Sequence, residues 1–279
     1  MRARLAKLVS RVQLAASGAA GWLADRRIPR RLRAPLFRGF AAAYGADLSE
    51  VRPPLEGYPS LGAFFVRRLA EGARPIADDP ALLVSPVDGT LQGAGEIAAG
   101  TLLQAKGRAY SARELLAGVG EDLELDGGSA WTLYLSPRDY HRIHAPEAGT
   151  LTEVRWVGGM RWSVAPAVLS RRLVLPVNER CVLRIETRGA TLLLVAVGAL
   201  NVGRIRVVGV EPGHSGPLAP ARPLARGEEL ARFEMGSTVV LIAPRGSARV
   251  SPAAVPGRAV RMGEAIGRWC GREARAGRA

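Results

Sequence analysis

Lysine is almost missing from this 279-residue chain: Lys7 and Lys106 are the only two, and the rest of its 39 basic residues are arginine. An enzyme that holds pyridoxal phosphate as a Schiff base on its own lysine would have almost nowhere to put it. Cysteine is just as scarce. Cys181 and Cys270 are too few for a disulfide framework or a structural zinc site. With only three histidines and no clustered Cys/His spacing, no metal is expected, and the chain reads as cytosol-facing. Long apolar runs are absent too: none reaches the roughly 18 residues of a membrane-spanning helix. The longest, Thr191 to Val202, reads as a buried strand. Arg11 and Gln13 interrupt the only stretch placed to serve as a signal-peptide core.

What the chain does have is apolar residues (48%), turn formers (33 Gly, 19 Pro) and positive charge. Turns spread along the whole length favour a β-rich body over a helical bundle. A net charge of +14 asks for an anionic partner. Between Met1 and Arg38 stand ten basic residues against a single acid, Asp25, so this segment alone carries +9. Within it Leu5, Leu8, Val9, Val12, Ala16, Ala19 and Leu23 recur at helical spacing, with Arg4, Lys7 and Arg11 on a separate face. Arg30 to Tyr44 repeats the theme, setting Leu32, Leu36, Phe37, Phe40 and Tyr44 beside further arginines. A basic amphipathic helix with Trp22 near its end suits an anionic membrane surface; no nucleic-acid fold signature appears.

Ser49 to Pro59 reads as a linker, so the expected division is residues 1–58, membrane-associating helices and linker, and 59–279, a catalytic domain. Short helices are expected over Ser60–Leu69 and Ser111–Ala117, the latter capped by Ser111 with Glu114 completing a capping box. Strands are expected at Leu82–Ser85, Trp131–Leu135, Gly149–Trp156, Leu173–Pro176, Val182–Thr187, Thr191–Val197, Val202–Val208, Thr238–Ile242 and Arg258–Met262, with Glu211–Gly227 a loop. The fold class is α+β, mainly β: a compact curved antiparallel-sheet body with amphipathic helices at the N-terminus.

Three stretches can carry chemistry. Ser85-Pro86-Val87-Asp88-Gly89 puts an acid on a tight turn after a strand, which alone is an ordinary turn aspartate. Tyr134 to Pro146 holds two of the three histidines, His141 and His144, beside Arg138, Asp139 and Arg142. Phe233-Glu234-Met235-Gly236-Ser237-Thr238 places a flexible glycine before a hydroxyl residue, which suits attack by the serine on the preceding carbonyl. Acid, base and hydroxyl fit nucleophilic catalysis on any fold, with either a substrate or the chain itself as target.

These motifs resemble the phosphatidylserine decarboxylase family. Phe64 to Leu69, Arg74-Pro75-Ile76, Ser85 to Gly89, Leu103 to Gly107 with Tyr110-Ser111, Tyr134 to Pro146, Asn178-Glu179-Arg180, Val197-Gly198-Ala199 and Met235 to Val239 match in the family's order, from about Pro59 to about Gly267. The resemblance implies a proenzyme that decarboxylates phosphatidylserine to phosphatidylethanolamine. Asp88, His144 and Ser237 would be its self-processing triad, with His144 taking the Ser237 proton and Asp88 holding the imidazole tautomer. Cleavage between Gly236 and Ser237 would leave a long chain, 1–236, and a short chain, 237–279, that begins with a pyruvoyl group made from Ser237. The two products would stay together as a heterodimer. That covalent pyruvoyl supplies the electrophilic carbonyl that replaces a lysine-bound cofactor, and His141 would be a proton donor to the decarboxylated carbon. The implied partners are a phospholipid substrate and an anionic membrane surface, with the protein peripheral on the cytoplasmic face of the cell membrane.

Two positions depart from the family pattern. Ala165-Pro166 follows Trp162-Ser163-Val164 where asparagine is common, and Arg204 stands where serine is frequent. A triad hydrolase that keeps Ser237 intact, and a decarboxylase of a related phosphoserine lipid, are the competing readings; His214 reads as surface.

Overall fold

The computed structural model describes residues 21–104, 108–199, 205–234 and 237–271. The expected helix from Leu5 to Leu23 therefore lies outside the described residues as far as position 20, as do Lys106, Arg204 and Gly236.

The first half of the body contributes β1 (Leu82–Val84), β2 (Gly89–Glu96), the hairpin β3 (Thr101–Gln104) and β4 (Arg108–Ser111), β5 (Ser129–Leu135), β6 (Arg142–His144) and β7 (Gly149–Val157). The second half adds β8 (Arg180–Thr187), β9 (Thr191–Val197), β10 (Ile205–Val207), β11 (Gly216–Leu224), β12 (Glu229–Phe233), β13 (Ser237–Ala243), β14 (Ala248–Val250), β15 (Ala259–Val260) and β16 (Ala265–Trp269). Helices are few: α1 (Arg30–Tyr44), α2 (Leu61–Phe65), α3 (Ala112–Leu116) and α4 (Pro166–Leu169). The expected class, mainly β with helices at the N-terminus, is what the structure shows.

Eight strands form one sheet in the order β11-β7-β8-β9-β13-β5-β2-β15, flanked by the smaller sheets β1-β16-β14 and β10-β12-β6. The ladders between these strands are antiparallel. β13 lies centrally, paired with β5 on one side and β9 on the other, and all seven of its residues are buried. Its alternation explains why. Val239 and Leu241 enter a core shared with Leu133, Phe233 and Ile266, while Val240 and Ile242 enter a second core with Leu115, Val182 and Leu193 on the opposite face. Trp131 ties the large sheet to its neighbour by donating Nε1–H to the Ile266 carbonyl at 2.8 Å.

α1 begins and ends where its pattern predicts and closes on Gly45, whose φ of 75° is the left-handed cap. Ala34, Phe37 and Ala41 face inward, and Phe37 stacks on Phe64 of α2 with ring centroids 4.4 Å apart. Burying an aromatic in this way is worth about 3–5 kcal/mol against alanine. Leu32, Leu36 and Tyr44 stay exposed, so the expected apolar stripe splits into a docked ridge and a free one.

Several local expectations are corrected. α2 stops at Phe65 rather than Leu69, because the Arg142 guanidinium captures the Val66 carbonyl at 2.8 and 3.0 Å. Leu173–Pro176 forms a turn rather than a strand. Glu211–Gly227 contains a nine-residue strand, β11; its Pro217, Pro220 and Pro223 are tolerated because it is an edge strand with an irregular register.

Candidate active site

Asp88 sits in the turn between β1 and β2. Ser85 shapes that turn by donating its hydroxyl to the Val87 carbonyl at 2.7 Å. The Asp88 carboxylate is buried and already engaged: Arg74 donates Nε–H to its two oxygens at 2.9 and 3.0 Å and Nη2–H to Oδ2 at 2.6 Å. The Met262 amide completes the set at 2.8 Å. Burial opposes the Arg74 charge, but the hydrogen bonds it donates to Asp88 and Glu50 outweigh burial and raise its pKa. Gly89 must lack a Cβ here, since one would stand 2.5 Å from the Tyr134 carbonyl oxygen of β5.

His141 ends the link from β5 to β6, and His144 is the last residue of β6. Ser136 opens the link, donating its amide and hydroxyl to Asp139 Oδ2 at 2.7 and 2.8 Å, which turns the chain tightly. His141 is fully buried against the Phe65 ring, centroids 4.0 Å apart. Its Nδ1 faces the Asp139 carbonyl at 2.8 Å, which fixes the Nδ1–H tautomer, and its Nε2 has no partner. Burial, with the Arg67 charge adding to it, holds its pKa down at about 3 against the pull of that carbonyl.

His144 is arranged alike. Nδ1–H donates to the Gly227 carbonyl at 2.8 Å, and Nε2 accepts from the Tyr140 hydroxyl at 3.0 Å. Burial again lowers the pKa, so both imidazoles are neutral at pH 7. The tautomer-holding contact expected from Asp88 is therefore made by Gly227. Asp88 is bound elsewhere, by Arg74 and Met262, and acts on His144 only as a nearby negative charge that favours the imidazolium. The two remain neighbours, because the His144 amide donates to the Pro86 carbonyl at 2.8 Å.

Ser237 heads β13, opposite Leu135 at the end of β5. The chain passes between the large sheet and the small one twice, through the β5–β6 link that ends in His141 and through the link from β12 to Ser237 at the head of β13. The Phe233 amide ties the two links by donating to the His141 carbonyl at 3.0 Å. Ser237 has no exposed surface, and its Oγ has no hydrogen-bond partner among the described residues. Leaving a buried hydroxyl unpaired costs about 1–3 kcal/mol.

Beside the Ser237 end of β5 lies an apolar cavity of about 260 Å³, lined by Phe40, Tyr44, Phe65, Leu135, Ala165 and Ala199 among others. The Ala165 departure thus falls on its wall. The Asn178-Glu179-Arg180 motif is scaffolding: Asn178 donates to the Trp162 and Gly198 carbonyls, both at 2.8 Å, and Arg180 donates to four backbone carbonyls. Sequence reasoning missed the parts played by Arg74, Tyr140, Phe65 and the Gly227 carbonyl. Arg74 and Phe65 stood inside matched motifs, and Tyr140 stands four residues before His144; a backbone carbonyl leaves no trace in a sequence.

Ser237 at the head of β13 is thus a buried hydroxyl without a hydrogen-bond partner among the described residues, and the Phe233–His141 hydrogen bond joins the strand that precedes it to the histidine-bearing stretch. The sequence model of the family described as phosphatidylserine decarboxylase matches residues 61–268. A phosphatidylserine decarboxylase proenzyme of Anaeromyxobacter sp. (strain K) is 42% identical over 265 residues, covering 91% of this chain and 93% of that protein. The one of Halorhodospira halophila is 44% identical over 268 residues, covering 88% and 91%, and that of Marinobacter nauticus is 39% identical over 268, covering 92% and 94%. The chain belongs to the phosphatidylserine decarboxylase family.

Proposed function

We propose that the protein is a phosphatidylserine decarboxylase that generates its own cofactor by cutting the Gly236–Ser237 bond. The observation that carries this reading is the buried, unpartnered Ser237 hydroxyl at the crossing of the two links. Its oxygen attacks the Gly236 carbonyl carbon, the amide becomes an ester, and the ester breaks by elimination. The dehydroalanine left at position 237 hydrolyses to pyruvoyl with release of ammonia. His144 takes the serine proton at Nε2, once the Tyr140 hydroxyl that occupies that lone pair turns away. Gly227 holds the other ring nitrogen protonated, and the Asp88 charge stabilises the imidazolium that forms.

A pyruvoyl group at position 237 would supply the electrophilic carbonyl that serves as electron sink for the loss of CO2. His141 Nε2, whose lone pair has no hydrogen-bond partner among the described residues, is the atom that would take up a proton in passing and deliver it to the decarboxylated carbon. The short chain stays in place after the cut because β13 is hydrogen-bonded on both edges inside the large sheet. This is why the products, 1–236 and 237–279, act as one unit.

A lipid substrate requires a membrane surface. Trp22, Leu23, Leu32, Leu36 and Tyr44 are exposed beside Arg26, Arg27, Arg30, Arg31 and Arg38, a pairing suited to an anionic leaflet. Tyr44 also lines the apolar cavity, so the same helix leads from that face toward Ser237. Residues 1–58 serve as the membrane-associating part and 59–279 as the catalytic part.

The test is the intact mass of the purified protein before and after a carbonyl-reactive amine. Two chains, the smaller beginning at position 237 with a blocked, amine-reactive end, support the proposal. One uncut chain with an ordinary serine refutes it in favour of a hydrolase.

A further inference from the structure

Arg67 follows α2 and is 3% exposed. Its Nη2 donates to the Arg138 carbonyl at 2.6 Å and to the Asp139 carbonyl at 3.3 Å, and the guanidinium lies over the Phe64 ring at 5.4 Å. Its Nε and Nη1 are buried without a hydrogen-bond partner among the described residues. An idle pair of donors on a buried cation is expensive, and the cost disappears when a ligand supplies oxygen acceptors. Arg67 lines a cavity of about 320 Å³ together with Arg74, Asp88, Arg138, Asp139 and Tyr140.

Each carboxylate on that wall is already matched. Asp88 and Glu50 are held by Arg74, and Glu50 by Arg261 as well. Asp139 is held by Ser136, Asp47 by Ser49, and Glu264 by the Arg261 amide. Arg67 is left with donors that no carboxylate of the wall takes. It also adjoins the reaction centre, since Arg67 Nη2–H and His141 Nδ1–H are both directed at the Asp139 carbonyl oxygen.

We propose that Arg67 anchors the phosphodiester of the substrate headgroup through Nε–H and Nη1–H. The inference rests on the phosphatidylserine reading above and adds the residue that recognises the phosphate. The phosphodiester is a better ligand for Arg67 than the substrate carboxylate. A guanidinium on the carboxylate would stabilise a charge that the reaction must lose as CO2 departs, which opposes catalysis. The phosphodiester keeps its charge throughout, so holding it positions the substrate without raising the barrier.

The experiment uses the full chain and its Arg67→Gln and Arg67→Lys variants, with glycerophosphoserine, inorganic phosphate and free serine as calorimetric probes. Arg67→Gln should weaken glycerophosphoserine and phosphate by about tenfold or more, the loss of a charge-assisted hydrogen bond, and leave free serine unchanged. Arg67→Lys should recover part of the loss, and KM for phosphatidylserine should rise more than kcat falls. Unchanged glycerophosphoserine affinity in Arg67→Gln overturns the proposal, and so does a loss shared equally by free serine, which would place the carboxylate there. Should Arg67→Gln fail to fold, Arg67→Lys decides: a normal melting temperature with weakened phosphate binding supports the anchor, and a melting temperature that falls with binding untouched overturns it. A wild-type protein that releases no CO2 from phosphatidylserine refutes the parent reading instead.

Discussion

Arg74 grips Asp88 through three hydrogen bonds of 2.6 to 3.0 Å, and both side chains are more than nine-tenths buried. The acid of the sequence motif, Asp88, is thereby fixed in position as a charge rather than as a direct partner of His144. Breaking a buried ion pair costs about 3–5 kcal/mol. Arg74→Met should therefore lower unfolding stability by about that amount in urea titrations. Asp88→Asn should cost less, because asparagine still accepts from the Met262 amide and Arg74 keeps Glu50. Asp88→Asn should nonetheless slow the appearance of the two chains, since the imidazolium loses its nearby negative charge. Cleavage at the wild-type rate in a folded Asp88→Asn protein would falsify that electrostatic role.

Ser237→Ala should give one uncut chain of full mass that melts no lower than the unprocessed wild type. The hydroxyl it removes has no partner to lose, and the methyl remains packed at the head of β13. His144→Ala should also stay uncut. Because burial lowers the His144 pKa from 6.5, its base form predominates at neutral pH. The processing rate should accordingly be level from about pH 8 to below the ordinary histidine range, then fall as the ring takes up a proton. A rate already falling between pH 8 and 7 would contradict a His144 that is neutral in the folded proenzyme.

The sequence carried the fold class where side-chain alternation carries it. Thr238 to Ile242 reads as a two-faced buried strand, and the structure extends it by one residue at each end. β2 was not foreseen, because Gly89, Gly93 and Gly95 hide its pattern, and β11 was hidden by its prolines. At the site, the types and order of Asp88, His141, His144 and Ser237 were legible because each brings distinctive chemistry. Their wiring was not. The His144 tautomer is set by a carbonyl 83 residues away, and any residue type at 227 would offer one. The pairing of Arg74 with Asp88 required knowing which of many arginines folds back onto the β1–β2 turn.

The free ridge of α1 predicts its own readout. Leu32 and Leu36 are 52% and 46% exposed, so replacing both by serine removes apolar surface without touching Phe37 or the core. Sedimentation with vesicles containing anionic lipid should fall, and cleavage at position 237 should continue. Each arginine near an anionic leaflet contributes about 1 kcal/mol, screened by salt, so binding should also weaken between low and physiological ionic strength. Equal binding to purely zwitterionic vesicles at all salt concentrations would remove the electrostatic part.

His141 makes folding itself sensitive to acid. In the unfolded chain the ring takes a proton near pH 6.5, whereas in the folded protein burial holds its pKa at about 3. Between those values the unfolded state binds the extra proton, so stability rises with pH. The contribution is fully present above 6.5 and is lost progressively as the pH falls toward 3. A single such group gives a slope of at most about 1.4 kcal/mol per pH unit. Carboxylates with lowered pKa, such as Asp47 and Glu50, add slopes of the same sign only below about pH 5, whereas Asp139, raised by burial, works in the opposite sense. The His141 contribution is therefore read between about pH 5 and 6.5 as the difference between wild type and variant. Denaturant titrations across that window should show a steep loss for the wild type. The loss should be shallower for His141→Gln, with His144 supplying what remains because its pKa is lowered as well. An unchanged slope in the variant would mean that the His141 ring is not held neutral by burial.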